Sequence, residues 1–128
     1  MDEKIKYWID LSEYDLETAD AMLTSRRFLY VGFMCHQSIE KILKAFFTKT
    51  KSDTAPFTHS LSYIAKKVGL YDLLSDEQKV FMDLLEPLNI EARYPADKDR
   101  IFNSLNYDRC SDILFNTREL QAWIKEKL

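Results

Sequence analysis

Leu29 to Thr48 reads LYVGFMCHQSIEKILKAFFT, and the spacing of its apolar residues decides the fold class. Val31, Cys35, Ile39, Ile42, Leu43 and Phe46 recur at steps of three and four, the period of a helix with one buried stripe. The spacing predicts the core helix of the protein. Gln37, Lys41, Lys44 and Thr48 fall on the opposite face, while His36, Glu40 and Lys44 follow one another at i, i+4 along one flank. One side is expected to pack and the other to stay polar.

Upstream, Asp2 to Ser25 places Ile5, Trp8, Ile9, Leu16, Ala19, Met22 and Leu23 on a broad stripe, with Asp2 and Glu3 suited to a helix start. Only Arg26 and Arg27 interrupt the pattern, so the turn is short and the first two helices are expected to be antiparallel neighbours. Downstream, Thr48 to Thr58 is polar with Pro56 near its end, and reads as a loop. Leu61, Ile64, Ala65 and Val68 then give a short amphipathic helix, closed by Gly69 in the left-handed position past its end. Ser75 and Gln78 occupy the two positions of a capping box, so a helix is expected to start at Asp76 and to end or kink at Pro87. Asn89 to Asn106 is dense in charge and reads as irregular, with Pro95 biasing Tyr94 away from helical geometry. Tyr107 to Leu128 carries Cys110, Ile113, Leu114, Thr117, Leu120, Ile124 and Leu128 on one face and closes the bundle. No segment alternates with period two between turn signals, so an all-α protein is expected.

A chain of 128 residues buries about two-thirds of its unfolded surface, enough for one domain without a metal or disulfide. Two glycines and three prolines leave little material for hairpins. The net charge of -3 argues against a general nucleic-acid coat, which needs a cationic surface to release counterions. Cys35 and Cys110 lack metal-ligand spacing and read as buried thiols in a reducing compartment. His36 and His59 have no HExxH or HxxxH companion, so no metal is expected. The charged N-terminus lacks a signal-peptide run, and nothing approaches the roughly 20 apolar residues of a membrane span. No membrane partner and a cytoplasmic location are expected.

Two candidate sites remain. The flank formed by Gln37, Glu40, Lys41 and Lys44 is either a solvated ladder of ion pairs or one wall of a groove that offers donors and acceptors to a ligand or second subunit. Arg93 and Tyr94 either hold a phosphate and stack a base, or cap the preceding helix end and cover the core. In an up-and-down bundle the loop carrying them is expected to lie against the first flank, with Arg93 either pairing with Glu40 or binding an anion. The catalytic signatures of glycine-loop phosphate binders, kinases and nucleophile-elbow hydrolases are missing. No catalytic residue and no cofactor is expected.

The runs HQSIEKILKAFF (His36 to Phe47), THSL (Thr58 to Leu61) and ARYP (Ala92 to Pro95), in this order within a helical chain of this size, resemble the HEPN domain, named for higher eukaryote and prokaryote nucleotide-binding. The opening WIDLSEYDLETADAML (Trp8 to Leu23) is similar to the family's first helix, so the resemblance covers nearly the whole chain. It implies an up-and-down bundle of four long helices plus a short helix, one HEPN-like domain over 1–128, and a homodimer. It also implies two activities. Ribonuclease toxins of toxin–antitoxin systems in the family pair an Arg with a His about a turn later. Arg93 matches that Arg, but no His follows His59, which argues against the nuclease. Branches with RYP here are regarded as non-catalytic modules that bind a nucleotide, RNA or a separately encoded minimal nucleotidyltransferase. The expected function is therefore binding without catalysis, with the metal-independent ribonuclease as the alternative and a purely structural dimerisation module as a third.

Overall fold

The computed structural model describes residues 2–51, 55–90 and 93–128, and these are helical throughout apart from turns and connections. Six α-helices follow one another: α1 (Glu3–Thr24), α2 (Phe28–Lys51), α3 (Leu61–Lys67), α4 (Asp76–Leu85), α5 (Pro95–Ser104) and α6 (Tyr107–Glu126), with 3-10 turns at Tyr71–Leu73 and Glu86–Leu88. Part of the loop expected over Thr48 to Thr58, together with Glu91 and the Ala92 of ARYP, lies outside the described residues.

Helix α1 begins where Asp2 accepts a hydrogen bond from the Lys4 amide, and ends in a Schellman motif. Arg26 N–H donates to the Leu23 carbonyl and Arg27 N–H to that of Met22, which requires Arg26 to take φ +60. A left-handed arginine is strained. Its guanidinium lies 5.3 Å from the Tyr107 ring centroid, a cation–π contact that offsets part of the strain. The same motif closes α3, with Gly69 N–H donating to Lys66 and Leu70 N–H to Ala65, and here the left-handed residue is a glycine at φ +73. A Cβ on Gly69 would meet nothing within 4 Å, so Gly69→Ala isolates the backbone term. Urea denaturation should show it less stable by about 1 kcal/mol.

Contacts along α6 fix its direction. The Cys110 thiol approaches the Phe28 carbonyl and Lys49 reaches the carbonyl of Leu128, so α6 runs parallel to α2. Arg118 pairs with Asp20 and Lys125 with Glu13, so it runs antiparallel to α1. The shorter α3, α4 and α5 return the chain between the two parallel helices. Where α1 and α2 cross, Ser12 donates to the Ser38 carbonyl at 2.8 Å and Ser38 to that of Ser12 at 2.9 Å, both buried. Gln121 of α6 joins them at 3.3 Å. Buried small hydroxyls let the helices approach closely while satisfying their own polar atoms.

Helix α4 starts at Asp76 behind a complete capping box of Ser75 and Gln78, and Pro87 converts its end into the Glu86–Leu88 turn. That turn presses on α2, since a Cβ on Gly32 would sit 3.2 Å from Leu88 Cδ1.

The all-α bundle is as the spacing predicts, but its inventory differs. Three helices are long, α4 and α5 span ten residues each and α3 spans seven. The segment read as irregular contains α5, because Pro95 is its first helical residue rather than a break. Tyr94, in extended geometry at φ -72 and ψ 157, is the N-cap. No residue of α5 is fully buried, so it has no strong apolar stripe to reveal it.

Candidate functional site

The four-residue spacing of His36, Glu40 and Lys44 places them one above the other on α2, on the flank that faces the segment leading into α3. The structure overturns the expectation of an open polar face here. His36, Glu40, Lys44 and Thr48 are all buried, Glu40 to 2 % exposure. A carboxylate removed from water needs partners, and it has two. His59 Nδ1 lies 2.9 Å from Glu40 Oε1, and Lys44 Nζ donates to Oε2 at 3.0 Å. The Lys44 ammonium also lies 5.6 Å from the Trp8 ring centroid, so α1 covers the third side.

A carboxylate only accepts, so His59 donates from Nδ1, and its neutral form carries a free lone pair on Nε2. The His59 side chain is 57 % exposed. A second contact holds the same residue from behind, where His36 Nε2 lies 3.1 Å from the His59 carbonyl and must donate to it. His36 therefore has its lone pair on Nδ1, 3.3 Å from the Gln37 side-chain amide. The Gln37 atom placed there is Oε1, so pairing with a neutral His36 requires the side-chain amide to be flipped to present Nε2.

Burial pushes the His36 imidazole below its usual range against the pull of Glu40. Burial alone would raise the Glu40 carboxyl, but the hydrogen bonds and charges of His59 and Lys44 more than offset it, and the group is lowered. Asp15 goes the other way, raised by burial against the attraction of Lys41, 3.8 Å away.

These directions give a pH profile. Below 6.5 the unfolded chain takes a proton on His36 that the folded one refuses, so stability falls as pH drops through that window. Below 4.5 the Glu40 contribution is lost in the same direction. Asp15 opposes, because its raised group binds a proton in the folded state before the unfolded one does. Thermal melts from neutral to acid pH should show a declining midpoint that starts near pH 6.5, and His36→Gln should remove the upper step.

The six candidate residues have different fates. Glu40 and Lys44 are inside the network. Gln37 and Lys41 are half-buried at its edge. Arg93 does not pair with Glu40. Its Nη2 donates to the Glu86 carbonyl at 3.1 Å, the helix-end cap foreseen as one of its two roles, because the last carbonyls of a helix lack intrahelical partners. Arg93 Nε is buried with no partner among the described residues. Tyr94 is 80 % exposed at the N-terminus of α5. Arg93 still belongs to the same region, since Glu86 accepts from the Ser62 amide at 3.1 Å and its charge is felt by His36. The runs from α2, THSL and RYP thus converge around Glu86.

His59, Glu86, Trp8 and Asp15 were not singled out from the sequence. Glu40 and His59, 19 residues apart, form a titratable pair across the loop. THSL was the available signal, but helical spacing cannot join it to α2 across a loop.

Among the described residues no group of three or more His, Cys, Asp or Glu is placed to hold a metal, and no helix is long and apolar enough to cross a membrane. Both cysteines are free and buried. Burial pushes Cys35 up to about 12 and Cys110 up to about 11, which keeps both as unreactive thiols at neutral pH.

The HEPN domain family model matches residues 5–128. The crystal structure of TT1696 from Thermus thermophilus is similar with a TM-score of 0.83, covering 99% of this chain and 100% of that one at 17% identity, a likeness of fold. No curated protein matches the chain. With a match that spans α1 to α6 and takes in all the motif runs around Glu86, the chain belongs to the HEPN domain family.

Proposed function

We propose that this HEPN-family chain is a non-catalytic binding module of the RYP-containing branch, working as a cytoplasmic homodimer that recognises a nucleotide or an RNA end beside His59 and Arg93. A separately encoded minimal nucleotidyltransferase is the protein partner that goes with this reading. The observation that carries it is His59. Its backbone is held by His36 and its ring by a buried carboxylate, yet the ring is exposed with no partner on Nε2 among the described residues. An imidazole fixed in this way meets an anion in its protonated form, which donates from Nε2. Arg93 Nε, without a partner among the described residues, adds a donor that a phosphate oxygen would satisfy. The exposed Tyr7 and Tyr14, seven residues apart on α1, support the homodimer.

A second reading is favoured by the same pair. An imidazole oriented by a carboxylate is the arrangement of a general acid–base, and it would return the ribonuclease with His59 in place of the missing family histidine.

One experiment separates them. Nucleoside monophosphates, triphosphates and short 3′-phosphorylated RNAs are titrated into the wild type, Arg93→Ala and His59→Ala, and the RNA is then checked for cleavage. Saturable binding, weakened about tenfold or more in each variant, without cleavage, is the expected result. Cleavage abolished by His59→Ala would establish the second reading, and no binding to any of these ligands would remove the first.

A further inference from the structure

We propose that the groove between α4 and α6, which neither His59 nor Arg93 lines, is a docking surface for a cationic amphipathic helix of another polypeptide. Both helices reach the core, α4 through Met82 and Leu85 and α6 through Leu120 and Ile124, but they barely touch each other. The divergence leaves a groove of about 320 Å³ with Phe81, Leu120 and Trp123 among its lining residues. Phe81 and Trp123 are only partly buried. Phe115, 62 % exposed, lies one turn before Glu119 on the same stripe of α6 and extends the apolar surface.

The rim sets the charge of the occupant. Glu77 on one side and Glu119 and Glu126 on the other border the groove, and no lysine or arginine lines it. All three carboxylates are exposed, and none is in an ion pair among the described residues. An ammonium already sits at one end, where Lys127 Nζ lies 4.3 Å from the Trp123 ring centroid, so the indole face accepts a cation. A second copy of this chain would bring its own net charge of -3 to an acidic rim, which disfavours self-association there. The α6 wall from Asn116 to Glu126 is about 15 Å long at the helical rise. That admits about three turns of a partner helix, with apolar residues on one stripe and Lys or Arg on its flanks.

The test uses a fluorescein-labelled, end-capped helical peptide of lysine and leucine about three turns long, and the same peptide with glutamate for lysine. Anisotropy should show saturable binding of the first and none of the second. Glu119→Lys combined with Glu126→Lys should weaken binding about tenfold or more. Glu17→Lys combined with Asp20→Lys makes the same charge change on the α1–α6 side, where Glu17 and Asp20 border a separate groove, and should leave affinity unchanged. In nitrogen-labelled protein the Trp123 indole resonance should shift on binding and that of Trp8 should not. Equal loss in the two double variants, or a shift confined to Trp8, would show non-specific or misplaced attraction and overturn the proposal, as would failure of the cationic peptide to bind.

Discussion

Glu40→Ala is expected to destabilise the fold by about 3 to 5 kcal/mol. The carboxylate is 2 % exposed and holds two partners whose fates differ once it is gone. The Lys44 side chain is 10% exposed, so its ammonium would stay beside the Trp8 ring with no counter-charge. His59 is exposed and would merely turn to water. Most of the loss therefore comes from the stranded ammonium rather than from the missing hydrogen bonds. Two further variants locate it. Glu40→Gln keeps an acceptor and should lose less. Glu40→Ala with Lys44→Met removes both charges and should recover much of the stability, since a buried pair replaced by apolar groups is often neutral. Urea denaturation near neutral pH reads all three. If the flank were the solvated ladder that its spacing allows, the loss would be a few tenths of a kcal/mol, and a value below about 1 would show that this carboxylate is not buried.

Helical spacing says which residues share a flank, but not what covers the flank, and that difference separates the legible part of this protein from the rest. The stripe of α2, the turn after α1, the Gly69 closure and the Ser75–Gln78 box are local, each set by residues within a turn or two of one another, and each was readable. So was the one proline that ends a helix. Pro95 is ambiguous, because a proline has the same effect on its predecessor whether it opens a helix or follows one. Arg26 went unread because the left-handed position was filled by a residue that rarely takes it, with the compensating ring of Tyr107 supplied from the start of α6. The site was half legible for a related reason. Glu40 and Lys44 were picked out, but their burial depends on Trp8 and on the segment before α3. The decisive pair joins a helix to a loop 19 residues on. Of the roles open to Arg93, the structure shows the helix-end cap on the Glu86 carbonyl rather than a pair with Glu40, a carboxylate already held by two donors.

Ile42→Ala is expected to lose about 2 to 5 kcal/mol, and the reason lies in the position of α2 rather than in the side chain alone. Ile42 has no exposed surface and sits on a helix that packs against α1, α3 and α6 together. A cavity opened there is walled by several elements, and three cannot all move inward without breaking other contacts, such as the serine crossing of α1 and α2. The upper part of the range is therefore expected. Phe46, on the same stripe but only partly buried, provides the contrast. The boundary of the bundle can close over its truncation, so Phe46→Ala should lose less than its larger volume suggests, and Ile42→Val should lose about 1 kcal/mol. Denaturant midpoints for the three, at unchanged m-value, order them as Ile42→Ala, Phe46→Ala, Ile42→Val from most to least destabilised. A loss below about 1 kcal/mol for Ile42→Ala would place this stripe at the surface and remove α2 from the centre of the bundle.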